Sequence, residues 1–451
     1  MRSDPRLRGG IWTFDWTTLP PGWRFELLKH LCTVRRGASP RPAGDPRFFG
    51  GTIPWFKIGD ATKRGARWLR ETEDFVNEAG AAHSVRIPPG SLIVANSGVS
   101  LGFAVLTEVE GCIHDGWLLL DQLTPETDRE FLLYCINHFT PRIRKFADGT
   151  TQPNLNTTIA RSLVFPLPPI DQQKAISALL SCLDDKIDLN RRMNETLESM
   201  ARAIFKSWFV DFDPVRAKAA GRKPAGMDAD TAALFPNSLP IGEVSGPLGW
   251  DCKSIESLVR ISRQTLTPTQ HPGEYFDHYS IPAFDAGRMP VRDAGETILS
   301  NKFVVNGHSV LLSKLNPRIP RVWLPQVDSG CRSICSTEFI VLDPAGPNTR
   351  EFAYCLLGSD PFCERYGGMT TGTSGSHQRV RPDDLYRLQM IVPPMPVIER
   401  FTGIARPLLG RVCANRQESV TLTGIRDTLL PKLLSGEIRI RDAEKLVESH
   451  L

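Results

Sequence analysis

The stretch Ile170–Phe209, IDQQKAISALLSCLDDKIDLNRRMNETLESMARAIFKSWF, decides the architecture of this chain. Apolar residues recur at Ile176, Leu183, Leu197 and Ile204, with Leu180, Ile187 and Trp208 four residues further on. Steps of seven divided into four and three describe an amphipathic helix of coiled-coil type. Pro168-Pro169 precedes it, and Asp171 stands in its first turn, where a carboxylate suits the helix dipole. At roughly 1.5 Å per residue the helix spans about 60 Å, the length of a strut rather than of one core element.

The series of sevens has a gap at Asn190, a polar residue on an apolar seam. Such an asparagine costs stability and specifies register. The same device returns near the C-terminus in the series Phe401, Leu408, Asn415, Leu422, Leu429. Each member lies 225 positions after its counterpart, since 415 − 190 = 225, and Pro393-Pro394 answers Pro168-Pro169. Two equivalent helices with a shared polar notch suggest an antiparallel pair within the chain, with Asn190 and Asn415 level. The alternative is two amphipathic helices, each packed on its own domain. Pro407, Gly403, Gly410 and Gly424 weaken the second helix, and Pro407 is expected to kink it or to mark the start of its regular part.

Outside the helices the chain repeats itself. Leu19-Pro20-Pro21-Gly22-Trp23 opens one copy and Gly246-Pro247-Leu248-Gly249-Trp250 the other. IPWFKIGDATKRG (53–65) answers DHYSIPAFDAGRMP (277–290), and SVRIPPGSLIVANSG (84–98) answers KFVVNGHSVLLSKL (302–315). Strands are expected over 91–97, 102–106 and 116–120, then over 309–313, 321–324 and 337–342. Helices are expected at REFLLYCIN (129–137) and REFAYCLL (350–357). A polar, glycine-bearing loop precedes each proline pair, at 148–156 and 371–379. Self-similarity on this scale indicates duplication. Residues 212–247, rich in Ala, Gly and Pro, read as a linker with one short helix near 228–234. Residues 1–18 carry little pattern.

The totals set bounds. A chain of 451 residues is expected to hold two or three domains. A net charge of +4 permits nucleic-acid binding without demanding it. None of the ten cysteines forms a CxxC pair, so reduced thiols are expected rather than a zinc site. The N-terminal residues show no apolar leader core and no stretch approaches a membrane span, so a cytoplasmic, non-membrane protein is expected.

Motifs for chemistry are missing. There is no Asn/Asp-Pro-Pro-aromatic loop of an amino-methyltransferase, and Asn316-Pro317-Arg318-Ile319 lacks the second proline and the aromatic. There is no GxxxxGK[ST] and no HExxH, and the nine histidines are dispersed. Asp184-Asp185 and Asp211/Asp213 read as a solvated face or a partner contact rather than a metal site. The chain is expected to be non-catalytic, with no catalytic residue, metal or cofactor of its own.

The Gly-Trp starts, IPWFKIGD, GTTQPNLN, PLPPIDQQKAI, AIFKSWFVDFDPV and RDTLLPKLLSGEI, in this order and duplication, make the chain resemble the specificity subunits of type I restriction-modification systems over roughly residues 19–445. The second copy and the prolines of the second helix depart from the family pattern. The resemblance implies an α+β fold of two tandem mostly-β target recognition domains (19–168 and 248–393). Two long helices, 169–212 and one within 394–451, separate them as an antiparallel coiled coil, with 213–247 as the linker. It implies that each domain reads one half of a bipartite site in double-stranded DNA. It also implies two methyltransferase subunits carrying S-adenosylmethionine and, optionally, two restriction subunits. The exposed helix faces, Trp208-Phe209 and 429–434 are the expected docking surfaces. The competing readings are a self-sufficient modifying enzyme and a duplicated protein-interaction scaffold that binds no DNA.

A domain that reads bases needs a rigid β platform and polar loops with small residues for close approach. In the first copy these requirements select Lys57, Lys63, Arg64, Asn96, Ser97 and Ser100, with Thr150, Thr151, Gln152 and Asn154. In the second they select Lys314, Asn316, Arg318, Arg321, Thr373, Ser374, His377 and Gln378. Arg142, Arg144 and Lys145 form a basic cluster suited to phosphates. The Thr/Gln/Asn loops could instead organise the junction between domain and helix.

Overall fold

The structure is a computed structural model that describes residues 19–62, 67–147, 154–238, 246–328, 330–346, 349–370 and 378–448. It divides into two compact units, one built from residues 1–189 and 419–451 and the other from 190–418. Each of the two long helices, Ile170–Phe209 and Met395–Ser435, gives one half to each unit.

The two units are built on one plan. In the first, Gly22 takes a left-handed conformation (φ +83°) and Trp23 N donates to the Pro20 carbonyl at 3.1 Å. In the second, Gly249 (φ +81°) and the bond from Trp250 N to the Pro247 carbonyl (3.0 Å) repeat that turn. Glycine enters this region without the Cβ clash other residues meet. The next strand then pairs antiparallel with the strand that precedes the proline pair: Arg24–Leu27 with Val164–Leu167, and Asp251–Ser254 with Gln389–Val392.

The central sheet of the first unit has the strand order Thr33–Arg36, Trp117–Asp121, Leu92–Ala95, Ala104–Thr107, Trp68–Leu69. That of the second is Val259–Ser262, Phe339–Pro344, Val310–Ser313, Val322–Trp323. A second sheet in each unit contains a parallel pair, Trp55 opposite Cys112 and Phe276 opposite Arg332. The strands Leu92–Ala95 and Val310–Ser313 are buried at every position, which is why they read as apolar runs without alternation. On the central sheet of the first unit pack Arg129–Ala147, Ile176, Leu180 and Leu183 of the first long helix, and Leu422, Leu429 and Leu433 of the second.

The sequence reading and the structure differ in three places along the helices. Past Asn190 the buried seam moves by one residue, to Glu198, Ala201, Phe205 and Trp208, while Leu197 and Ile204 are half-buried. An α-helix of 3.6 residues per turn drifts from a strict seven-residue repeat, so the seam steps to the next residue. The second helix runs unbroken through Pro407. Pro407 and Gly403, whose carbonyl it deprives of a partner, are both exposed, so water can satisfy that carbonyl. Trp208, Leu429, Leu433 and Leu434 are core residues, with Trp208 edge-on to Phe235 at 5.1 Å, and offer no docking surface.

The segment after the first helix also packs. It forms helices Asp213–Ala219 and Ala229–Ala233, and Phe235 is buried beside Trp208 and Trp250. Among the described residues no helix is long and apolar enough to cross a membrane.

Candidate nucleic-acid interface

Two hairpin loops of one design carry most of the described candidate residues. In the first unit, residues 96–103 join strands Leu92–Ala95 and Ala104–Thr107, and Ala95 N donates to the Phe103 carbonyl at 2.8 Å. Inside the loop Leu101 N donates to the Gly98 carbonyl at 3.1 Å, and Gly98 is left-handed (φ +71°). In the second unit, residues 314–321 join Val310–Ser313 to Val322–Trp323, and Ser313 N donates to the Arg321 carbonyl at 2.9 Å. The inner turn recurs, from Ile319 N to the Asn316 carbonyl at 2.8 Å, with Asn316 at φ +48°. Asparagine is among the few residues with a side chain that tolerate this conformation.

The chain returning from each polar glycine loop ties these hairpins down. Leu155 N donates to the Asn96 carbonyl at 2.8 Å, and Ser97 bridges Asn154. Val380 N donates to the Lys314 carbonyl at 3.1 Å, Asn316 N to the Gln378 carbonyl at 2.9 Å, and Leu315 bridges Arg379. Thus Asn96, Ser97 and Asn154 come together in one unit, and Lys314, Asn316 and Gln378 in the other. Lys63, Arg64, Thr150, Thr151, Gln152, Thr373, Ser374 and His377 lie outside the described residues.

The supports differ between the units. Helix Arg129–Ala147 holds the first loop: the Asn137 amide bonds both the N–H (2.8 Å) and the carbonyl (3.0 Å) of Ala104. Thr140 Oγ1 donates to the Gly102 carbonyl at 2.8 Å, and Arg144 Nε to that of Leu101 at 3.1 Å. Gly102 is required there, since a Cβ would stand 3.3 Å from both Thr140 and Ile143 at φ +84°. The second loop rests on the Tyr366 hydroxyl, which donates to the Ser313 carbonyl at 3.1 Å, and on Arg379 paired with Glu338 at 3.0 Å.

The candidates therefore fall into distinct roles. Lys57 Nζ lies 2.6 Å from Asp74 and 5.4 Å from the centre of the Trp55 ring, and Arg321 is bidentate to Asp285 at 2.7 and 2.9 Å. Asn96 and Ser100 are buried, and Asn96 Nδ2 donates to the Asp115 carbonyl at 2.9 Å. Arg142 lies 5.7 Å from the centre of the Phe139 ring. Lys145 and Arg318 are exposed, Lys314 is half-buried, and none of the three meets a carboxylate among the described residues. Two buried amide oxygens, Asn96 Oδ1 and Asn316 Oδ1, and the buried Nη1 of Arg321 have no hydrogen-bond partner. Buried polar atoms rarely stay unpaired, so each loop has capacity for a further polar contact.

Sequence reasoning missed a second basic group. Asp115 accepts from Ser39 Oγ at 2.7 Å and pairs with Arg41 at 3.1 Å, while Arg36 Nε donates to its carbonyl at 2.9 Å. Burial raises the Asp115 pKa, but the Ser39 hydroxyl and the charges of His114, Arg41 and Arg36 outweigh it and hold the carboxyl below its ordinary value. Because Asn96 bonds the same carbonyl, these arginines stand beside the first loop. The signal was present in VRRGASPRPAG (34–44), where three arginines bracket a Pro/Gly turn. Among the described residues no group of three His, Cys, Asp or Glu side chains could hold a metal ion.

Residues 20–199 match the type I restriction modification DNA specificity domain. The chain is 22% identical over 439 residues to the type I restriction enzyme MjaIX specificity subunit of Methanocaldococcus jannaschii, a match covering 94% of this chain and 95% of that protein. It is 27% identical over 358 residues to the type I restriction enzyme HindI specificity subunit of Haemophilus influenzae, covering 68% of this chain and 76% of the relative. In fold it is similar to the crystal structure of a type I restriction-modification system S subunit from M. genitalium, with a TM-score of 0.58, 16% identity, and coverage of 93% and 98%. Residues 20–199 thus match a type I restriction modification DNA specificity domain, and the chain over most of its length is similar to type I restriction enzyme specificity subunits.

Proposed function

We propose that this chain is the DNA-reading subunit of a type I restriction-modification complex, with each unit reading one half of a bipartite, non-palindromic target. The observation that carries this is the pair of hairpin loops. Their backbones share turn, left-handed residue and tether, while their side chains differ: NSGVSLGF (96–103) against KLNPRIPR (314–321). A conserved backbone frame with exchanged side chains suits two readers of different base edges, because sequence is read at base edges while phosphate contacts give affinity and register.

In this reading the chain performs no chemistry. Two methyltransferase subunits dock on the exposed helix faces and methylate adenine with S-adenosylmethionine, and restriction subunits join optionally. The helical pair sets the separation of the half-sites, as dimer spacing does in other DNA readers.

Methylome sequencing of cells that express the chain with its methyltransferase tests this, against cells that lack the chain. Methyladenine at one bipartite motif, present only with the chain, is the expected result. No new motif, with the methyltransferase expressed and bound, would overturn it in favour of a protein-binding scaffold.

A further inference from the structure

The first long helix carries carboxylates that capture arginines, among them Asp184 and Asp185, which sequence alone left as a solvated face or a partner contact. In the first unit Arg67 bonds Glu130 at 2.8 Å and Asp185 at 2.6 Å, and Asp184 pairs with Arg426 at 2.7 Å. In the second, Glu198, 9% exposed, receives Arg202 at 3.0 Å, Arg416 from the opposing helix, and Arg288 at 2.9 and 3.1 Å.

Arg288 is the unusual member. It closes the short helix Ile281–Gly287 in a left-handed conformation (φ +56°), where glycine or asparagine is the ordinary residue. An arginine there meets a backbone cost, and what offsets it is on its side chain. The guanidinium reaches Glu198 and lies 5.0 Å from the centre of the Phe284 ring. Phe284 in turn packs edge-on against Trp323, at 5.5 Å, on the strand that leaves the 314–321 loop. The same short helix carries Asp285, which holds Arg321 at the end of that loop by two bonds. Arg321 is thus engaged inside the protein, with a side chain only 11% exposed.

We propose that Ile281–Gly287 is a rigid relay that fixes the second reading loop to the helical pair, with Arg288 and Arg321 as positioning residues and Lys314 and Arg318 left to meet DNA. The inference rests on the DNA-reading function proposed above. The relay's role is angular: it holds the loop at one orientation to the helices, which in the reading proposed above set the separation of the half-sites. Loosening it widens the accepted spacing without changing the bases read.

The test uses the full chain in complex with its methyltransferase. The substrates are DNAs that carry both half-sites at the native spacing and at one base pair more or less. For Arg288→Ala, the preference for the native spacing falls about tenfold, a coupling of the size single network residues supply. The base motif stays the same. Arg288→Lys, which keeps the charge, falls less. Asp285→Asn keeps the shape of the relay and weakens its grip on Arg321, so it moves the preference the same way and serves if Arg288→Ala does not fold. An equal fall at all three spacings, or an unchanged preference in both variants, would overturn the relay. A wild-type complex that methylates no bipartite site would instead overturn the DNA-reading function itself.

Discussion

Asn190 and Asn415 face each other across the two long helices: Asn190 Nδ2 lies 3.4 Å from the Asn415 carbonyl oxygen. The same Nδ2 donates to Glu418 at 2.8 Å, and Asn415 Nδ2 donates to Asn194 at 2.9 Å. Each asparagine thus bonds the opposite helix three or four residues beyond its counterpart, and both are buried. Sliding one helix by a turn would break all three of these bonds. Asn190→Ala or Asn415→Ala is expected to lower unfolding free energy by about 1–3 kcal/mol, the cost of orphaning a buried polar partner. Asn190→Leu with Asn415→Leu is expected to recover that loss, since a polar seam residue gives up stability for register. Denaturant unfolding of the wild type, the two alanine variants, their alanine double and the leucine double decides it, and strict additivity of the two alanine changes would show that the asparagines do not form one unit.

Arg318 is exposed and Lys314 half-buried on the second loop, and neither meets a carboxylate among the described residues, so they are that loop's cations left for DNA. Lys314→Ala or Arg318→Ala is expected to weaken recognition of the second half-site alone, by about 1–3 kcal/mol where the contact is bidentate to a base. Binding titrations against DNAs altered in one half-site at a time measure this. Equal loss on every DNA, with a shallower dependence on salt, would reassign the residue to phosphate.

Much of the architecture was legible because duplication writes it twice. The 225-residue offset relating Asn190 to Asn415 anticipates two matched helices, and Gly22-Trp23 with Gly249-Trp250 marks both domain starts. What escaped were choices made by long-range partners. Lys57 and Arg321 read as open cations, yet Asp74 and Asp285 occupy them. Asp184 and Asp185 read as a solvated face or a partner contact, yet Arg426 and Arg67 of the same chain meet them from 242 and 118 positions away. Trp208 read as a docking surface until Phe235, in the supposed linker, covered it. Periodicity reports which face of an element is apolar and carries no information about which distant charge will arrive there.

Burial holds His114, His138 and His278 below the ordinary histidine pKa; Asp115 and Asp293 oppose it at His114 and His278, and Arg142 adds to it at His138. The unfolded chain takes up these protons near pH 6.5, while the folded chain takes them only at lower pH. Their contribution to stability is therefore complete above about pH 6.5 and is lost as the pH falls below it. The thermal midpoint is expected to decline from about pH 7 to pH 5.5, with His138→Gln flattening the decline. A second loss, at lower pH, follows as carboxylates held below their ordinary values, Glu26, Asp115 and Glu274 among them, become protonated. A midpoint that rises on acidification from pH 7 to pH 5.5 would contradict the histidine assignment.

If the helical pair sets the distance between half-sites, its length and the target's spacer must change together. Because Asn190 faces Asn415 in an antiparallel pair, Leu197 stands level with Leu408, so a balanced insertion goes into both helices at the asparagine level. One heptad adds about 10 Å of rise, equivalent to about three base pairs. It rotates the seam by only about 20°, so the apolar faces stay matched. The chain with a heptad in each helix is expected to direct methylation to the same two half-sites with a spacer about three base pairs longer. A heptad in one helix alone moves Asn190 out of reach of Asn415 and is expected to lower the thermal midpoint instead. Methylome sequencing reads the spacer directly. An unchanged spacer in the doubly extended chain, with its folding verified by the thermal midpoint, would mean that the DNA itself or the methyltransferase subunits fix the distance.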